Sequence, residues 1–123
     1  MSTIVIDEFA PSRTREITLA ELPGVWSELP SDDCFGLTWN DSGDDVIIVS
    51  VYDTYSTVTI GHDDTFYDLA LSTDEGTQGA VVMGEWVEWP TRSILPRDMG
   101  LTVLLKGNDF PSLLQEYTWR EQE

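Results

Sequence analysis

Residues 35–52 read FGLTWNDSGDDVIIVSVY, and this stretch decides the fold. In its first six positions Phe35, Leu37 and Trp39 alternate with small or polar residues, which is the two-residue period of a half-buried strand. The polar sequence NDSGD then supplies turn residues. Val46–Tyr52, which is rich in β-branched residues, predicts the returning strand. The stretch therefore predicts a β-hairpin within an antiparallel sheet.

Strand signals continue along the chain after this hairpin. Residues 57–61 and 66–71 read as two further strands joined by a polar turn, and residues 72–79 read as a polar loop. Residues 80–89 complete the series, which Pro90 ends because proline cannot donate to a sheet ladder. Consecutive strands at short spacing predict an antiparallel meander.

The residues before the hairpin predict a short strand and a helix. Residues 2–6 are mostly β-branched and read as a strand that ends at a polar turn. Thr18 and Glu21 are spaced as in a capping box, in which the threonine oxygen accepts from a backbone N–H and the glutamate reaches back. A helix over residues 19–29 is expected to follow.

The C-terminal quarter predicts one more helix and one more strand. Residues 96–106 are followed by Gly107, a residue type common just past a helix end, which favours a helix although residues 101–105 alone read equally well as a strand. Residues 113–119 read as a last strand. The chain is therefore expected to form one α+β domain over residues 1–123, an antiparallel meander of about five to six strands with one N-terminal and one C-terminal helix packed on it.

The charge of the chain is strongly acidic and unevenly distributed. Its 23 Asp and Glu residues against 6 Lys and Arg give a formal net charge of −17. Residues 1–90 hold 18 of the acidic residues and only Arg13 and Arg15 as cations. Nucleic acids and anionic lipid surfaces are bound mainly through Lys and Arg, so neither is expected as a partner. The charge predicts a basic protein partner, unless it serves only solubility or a high-salt habitat.

Two further features bear on the cellular compartment. No basic segment followed by an apolar one opens the sequence, and no apolar run approaches the ~18 residues of a membrane span. Cys34 is the single cysteine, and a cysteine-poor composition is typical of reducing compartments. We therefore expect a cytoplasmic protein.

No motif of the sequence supplies catalytic or metal chemistry. Cys34 and His62 form its one Cys–His combination, and nothing in their positions indicates the adjacency that activates a thiolate. The predicted turn of the hairpin lacks the ligand and glycine positions of a calcium-binding loop. Asp63, Asp64 and Asp68 could share an ion, but solvated turn carboxylates are the usual interpretation. The glycines follow no phosphate-binding spacing. We expect no enzyme activity, no metal and no cofactor.

Carboxylates in the predicted turns and a tryptophan in the last strand of the meander are the candidate partner-binding residues. Side chains alternate along a strand, so Trp86 and Glu88 share one face, whereas Glu85 and Trp89 share the other. We expect Trp86 to be an exposed anchor, because tryptophan is enriched among residues that dominate binding, and Trp89 and Trp119 to be core residues. The complete predicted set is Asp41, Asp44, Asp45, Asp53, Asp63, Asp64, Asp68, Glu85, Trp86 and Glu88.

The C-terminal third of the chain carries a series of short motifs. They are GEW at 84–86, EWP at 88–90, ILP at 94–96, KGN at 106–108, Pro111, and YTWRE at 117–121. In this order they resemble immunity protein family one of bacterial polymorphic toxin systems, whose members typically end in an apolar helix, a glycine-rich stop, a proline and a Trp-x-Glu tail. The resemblance implies a cytosolic antidote to a toxin, and toxins guarded by this family often act on nucleic acids, as cytidine deaminases and nucleases do.

Charge and resemblance lead to the same hypothesis. An enzyme that binds phosphates presents a basic cleft, which an acidic surface can block after electrostatically accelerated association. We therefore expect an immunity protein that binds one cognate toxin domain with a basic surface in a 1:1 complex. The alternative is an acidic nucleic-acid mimic or a regulatory inhibitor of a basic protein outside toxin systems.

Overall fold

The computed structural model describes residues 3–40 and 45–122, and its centre is an antiparallel sheet. The strands of these residues are β1 (Thr3–Phe9), β2 (Ser12–Thr18), β3 (Phe35–Asn40), β4 (Val46–Tyr52), β5 (Tyr55–His62), β6 (Thr65–Ala70), β7 (Thr77–Val82), β8 (Glu85–Pro90), β9 (Leu95–Pro96) and β10 (Thr118–Glu121). Eight of them form the central sheet, in the order β10, β6, β5, β4, β3, β1, β2, with β9 paired to part of β5. β7 and β8 form a separate two-stranded sheet. The predicted α+β class is confirmed.

The hairpin predicted from residues 35–52 is present as β3 and β4. Leu37 lies opposite Val49, and both side chains are fully buried, as the alternation requires of a strand with one face in the core. Residues 41–44, which include the predicted partner-binding residues Asp41 and Asp44, lie outside the described residues.

The described residues contain three helices, α1 (Leu22–Glu28), α2 (Met99–Leu105) and α3 (Phe110–Glu116). A 3-10 turn precedes α1 and carries the predicted capping box. The N–H of Thr18 donates to Glu21 Oε1 over 2.9 Å, and the N–H of Glu21 donates to Thr18 Oγ1 over 3.3 Å. α1 and α2 lie within the two segments that the sequence predicts to be helical.

The prediction of a strand over residues 113–119 is wrong. α3 occupies the first half of that segment, and β10 starts only at Thr118. Phe110, Leu113 and Leu114 have the three-and-four spacing that brings apolar residues to one face of a helix, and the first two are buried in the core. That spacing is visible only when Phe110 is included in the pattern.

The sheet is also larger than the predicted five to six strands, and its membership differs. β2 is an edge strand, and most of its side chains are exposed. Its sequence therefore has no apolar alternation, and the sequence analysis did not predict it. The single strand expected over residues 80–89 is instead divided between β7 and β8, which form a hairpin. Met83 and Gly84 have φ angles of 51° and 81°, the conformation of a tight hairpin turn, and this turn breaks the run. β7 and β8 are therefore not strands of the central sheet.

The core lies between one face of the central sheet and the helices. A Cβ added to Gly100 of α2 would lie 2.6 Å from Val49 Cγ1 and 3.1 Å from Trp26 Cη2, so the glycine lets α2 approach the sheet and α1 closely. On the same face of the sheet, Trp39 is buried and stacks on Phe110 of α3 with ring centroids 6.3 Å apart. The opposite face is left for the β7–β8 hairpin.

Candidate partner-binding surface

The β7–β8 hairpin lies over the face of the central sheet that the helices do not cover. Polar side chains of that face hold its backbone. The N–H of Val81 donates to Tyr55 Oη over 2.8 Å, and the N–H of Met83 donates to Ser50 Oγ over 2.9 Å. The N–H of Gly84 donates to Cys34 Sγ over 3.3 Å. These contacts use backbone N–H groups of the hairpin, so the side chains on its outer face, Trp86 and Glu88 among them, remain exposed.

Trp86 lies on the outer face of this hairpin, where it is paired with Val81. Its side chain is 74% exposed. The indole ring lies across Gly79, since a Cβ added there would come within 2.8 Å of Cε2 and 2.9 Å of Cη2. The backbone of β7 thus supports an exposed ring and restricts its motion, which lowers the entropy that binding must remove.

Exposed carboxylates flank this tryptophan. Glu88 shares the outer face with Trp86, whereas Glu85 lies on the sheet-facing side, where it is paired with Val82. Both glutamates are exposed. The structure therefore places two carboxylates and one exposed indole on six consecutive residues.

Trp89 and Trp119 do not lie in the central core, contrary to the prediction. Trp89 is half-buried between the hairpin and the sheet, and its Nε1 is buried without a hydrogen-bond partner among the described residues. Trp119 is half-buried at the margin of the core, where its Nε1 donates to the carbonyl of Leu113 over 2.9 Å. Trp26 and Trp39 are core residues instead. Alternation assigns a face to a side chain but does not say how closely that face is covered.

The predicted acidic turn residues lie at two opposite ends of the central sheet. Asp63 and Asp64 form the β5–β6 turn and are exposed, and Asp45 precedes β4 at the same end. Asp53 is exposed in the β4–β5 turn at the other end, where Arg97 donates to its carbonyl over 2.7 Å. The structure thus brings three of these residues together and separates the fourth from them.

His62 lies between two of the clustered carboxylates. Its Nδ1 is 2.8 Å from Asp45 Oδ1, and its Nε2 is 3.4 Å from Asp63 Oδ2. The hydrogen bond with Asp45 raises the pKa of His62 above its ordinary value; burial acts in the opposite direction and the charges of the two carboxylates reinforce the increase. A protonated His62 offsets part of the negative charge at this end of the sheet.

The assignment of Asp68 to the acidic surface is wrong. Asp68 lies within β6 and is only 7% exposed. Its Oδ1 accepts hydrogen bonds from Thr59 Oγ1 over 2.6 Å and from Gln122 Nε2 over 2.9 Å. Burial raises the pKa of Asp68, against the opposing effects of these two hydrogen bonds and of the charge of Arg92. The residue is covered because β10 and Gln122 lie beside β6.

A polar cleft of about 370 Å³ adjoins this buried aspartate. Its charged lining consists of Asp68, Glu88, Arg92, Arg120 and Glu121. Carboxylates outnumber guanidinium groups in it, so the cleft lacks the cationic character on which polyanion binding depends.

Cys34 and His62 lie at separate places in the structure. Cys34 Sγ is 3.7 Å from Ser50 Oγ and accepts from Gly84, whereas the ring of His62 contacts Asp45. Within residues 3–40 and 45–122, no group of three or more His, Cys, Asp or Glu side chains is arranged to hold a metal ion.

Two residues near Trp86 and Trp89 were missed by the sequence reasoning. Gly79 supports the indole of Trp86, and a glycine beside a predicted strand is a signal for such a close approach. Phe66 is 48% exposed, and its ring lies against Gly61 on the neighbouring strand. Nothing in the local pattern indicates that the face of Phe66 lies next to the hairpin.

Comparison with known proteins adds no relative, because no protein-family model matches the chain and a search of curated proteins finds no significant match. In the part of the chain that the structure describes, no helix has the length and apolar character needed to cross a membrane.

Proposed function

We propose that this chain is an immunity protein that binds a toxin domain with a basic surface and neutralises it by occlusion, without catalysis of its own. The observation that carries the proposal is Trp86, an indole that is 74% exposed, supported by Gly79 and flanked by exposed carboxylates. Tryptophan in such a position is typical of residues that dominate the binding energy of an interface.

The charge of the molecule supports a basic partner. With a net charge of −17, the protein repels polyanions and attracts a cationic surface over about a Debye length, ~8 Å at physiological ionic strength. Toxins that act on nucleic acids have such surfaces because they bind phosphates. The C-terminal motifs, which are similar to immunity protein family one, favour a toxin of this class, a deaminase or nuclease, and a 1:1 complex formed in the cytoplasm.

The proposal predicts that a toxin domain is encoded beside the gene of this protein, and the experiment that tests the proposal uses that domain. The two are mixed, and complex formation and residual toxin activity are measured for the wild type and for Trp86→Ala. Loss of a hot-spot tryptophan typically removes at least ~2 kcal/mol of binding, so the affinity should fall about thirtyfold and toxin inhibition should weaken in parallel. The melting temperature should fall only slightly, because the side chain is 74% exposed and its ring covers only the backbone at Gly79.

Leu105→Ala is the matched control. Leu105 is 43% exposed on α2, away from the hairpin, so its loss should leave binding unchanged. An absence of complex between the wild-type proteins contradicts the proposal. Binding of basic proteins without protection from any toxin points to the alternative function, a regulatory inhibitor outside toxin systems.

A further inference from the structure

An apolar groove lies between the β7–β8 hairpin and the uncovered face of the central sheet. We name it the sheet groove. Its volume is about 230 Å³, and its lining is predominantly apolar. It is bounded on the sheet side by Ile48, Thr57 and Phe66 and on the hairpin side by Val82, Met83 and Trp89.

The size of the sheet groove suits one large side chain. An apolar protein cavity of about 150 Å³ accepts a benzene molecule, so about 230 Å³ is enough for a phenyl or a large aliphatic group. Small-molecule sites typically start at about 300 Å³ and contain a few convergent polar groups. The volume and the apolar lining therefore favour a side chain of a protein partner over a metabolite.

The surroundings of the sheet groove are acidic. Exposed Asp64 lies beyond Phe66 at one end, and exposed Glu85 lies on the same hairpin face as Val82. At the other end Trp89 is shared with the polar cleft, to which Glu88 and Glu121 contribute. That cleft also holds Arg92 and Arg120, which balance the charges of Glu88 and Glu121. An apolar centre with the exposed carboxylates of Asp64 and Glu85 nearby, on a molecule of net charge −17, is complementary to an apolar side chain with basic neighbours.

We propose that the sheet groove receives one aromatic or large aliphatic side chain from a basic segment of the toxin domain. This inference rests on the proposed function and identifies a second contact of the same interface. Trp86 and the sheet groove lie on the two sides of β8, so a partner that encloses this strand contacts both. The hairpin thus presents its own aromatic anchor on one side and accepts one from the partner on the other.

Methionine methyl groups report directly on occupation of the groove. Met83 lines the groove, whereas Met99 belongs to α2 on the opposite face of the sheet. The full-length protein, labelled with ¹³C at the methionine methyls, is titrated with the blocked peptides KKFKK, KKSKK and EEFEE and followed by NMR. KKFKK should shift the Met83 methyl resonance in a saturable way and leave that of Met99 unchanged. KKSKK should bind at least about tenfold more weakly, and EEFEE should produce no shift.

Phe66→Ala removes one wall of the groove. Because Phe66 is 48% exposed, the variant should fold, and its affinity for KKFKK should fall about tenfold, whereas Leu105→Ala should bind as the wild type does. The wild-type titration decides the proposal even where Phe66→Ala fails to fold.

Three outcomes would overturn the inference. They are an unchanged Met83 resonance with KKFKK, equal shifts with KKFKK and KKSKK, and equal shifts of Met83 and Met99. Any of these, combined with toxin binding by the wild type, refutes the groove and leaves the proposed function intact. Selective Met83 shifts combined with no toxin binding support the groove as a site for basic apolar segments and refute the immunity function.

Discussion

At the scale of single residues, the candidate surface depends on two aromatic–glycine contacts across neighbouring strands. Trp86 lies over Gly79, and Phe66 lies against Gly61. An aromatic ring placed over a strand glycine covers backbone that would otherwise be open, which is a known way of stabilising glycines in sheets. Trp86 remains mostly exposed in this contact and Phe66 about half exposed, so the same arrangement holds an apolar side chain at the surface.

Gly79→Ala is a prediction at this scale. The new Cβ collides with the indole of Trp86, and the exposed ring should swing away from its supported position. We expect affinity for the toxin domain to fall by up to about thirtyfold, the loss expected for Trp86→Ala. Stability should stay equal or rise slightly, because alanine lowers the entropy of the unfolded chain.

The double variant Gly79→Ala/Trp86→Ala is the control for this prediction. Since both changes act through the same ring, the double variant should bind no more weakly than Trp86→Ala alone. Isothermal titration calorimetry with the toxin domain measures the affinities of the three variants. If the losses of binding free energy in the two single variants add up in the double variant, Gly79 contributes to binding by another route.

Asp68 leads to a prediction about pH. Burial raises its pKa in the folded state, so the folded protein holds this proton more tightly than the unfolded chain. The contribution of Asp68 to stability is therefore fully present below its unfolded pKa of about 3.9 and is lost as the pH rises through the higher folded value. Asp68→Asn keeps an oxygen for Thr59 and Gln122 and removes this titration.

Relative to the wild type, Asp68→Asn should therefore gain stability as the pH rises above about 4 and through the raised folded pKa of Asp68, measured by urea unfolding at a series of pH values. Asp64→Asn, which alters an exposed carboxylate, corrects for the change in net charge. A variant that instead loses stability towards neutral pH would mean that the charged form of Asp68 is the favoured one in the folded protein.

At the scale of secondary-structure elements, two helices use glycine in different ways. Gly100 lets α2 contact Val49 of the sheet and Trp26 of α1, whereas the position of a Cβ on Gly24 of α1 is open, with no atom within 4 Å. The first glycine is required by close packing between elements. The second carries only the usual cost of glycine in a helix, about 1 kcal/mol relative to alanine.

The same substitution should therefore have opposite effects in the two helices. Gly100→Ala forces α2 away from the sheet and should lower the free energy of unfolding by about 1–3 kcal/mol, as overpacking of a core usually does. Gly24→Ala should raise it by up to about 1 kcal/mol. Urea denaturation of the two variants measures both values, and a stable Gly100→Ala would contradict the packing at this contact.

At the scale of the whole molecule, the proposed interface combines acidic charge with apolar contacts that would supply its affinity. Exposed carboxylates act at long range on a basic partner and accelerate association, whereas the indole and the sheet groove act only after contact. Asp63 and Asp64 belong to the first group because they are exposed, and Asp68 does not because it is buried.

The association rate constant should therefore decrease steeply with salt, by at least about tenfold between about 0.1 M and about 1 M, where the Debye length shrinks from ~10 Å to ~3 Å. Stopped-flow mixing with the toxin domain measures this dependence. Asp63→Asn and Asp64→Asn should slow association at low salt, and Asp68→Asn should leave the rate unchanged. A rate that is independent of salt would assign the acidity to solubility alone.

The sequence by itself determined those features that depend only on residues close together along the chain or on overall composition. They include the β3–β4 hairpin from its two-residue period, the capping box of Thr18 and Glu21, the opposite faces of Trp86 and Trp89, and the net charge. Each of these follows from local backbone geometry or composition, which a stretch of a few residues expresses fully.

The tertiary structure alone decided which surfaces are covered. Edge strand β2 has Ile17 as its one buried residue, which is too few to impose a pattern. β10 and Gln122 cover Asp68 from a distant part of the chain, and the β7–β8 hairpin crosses the free face of the sheet instead of extending it. Burial is set by elements that are remote in sequence, so a local period can assign a side chain to a face without showing what lies against that face. For this reason the exposure of Trp86 could be predicted from the sequence, whereas the side chain that lies over Gly79, the exposure of Phe66 and the sheet groove could not.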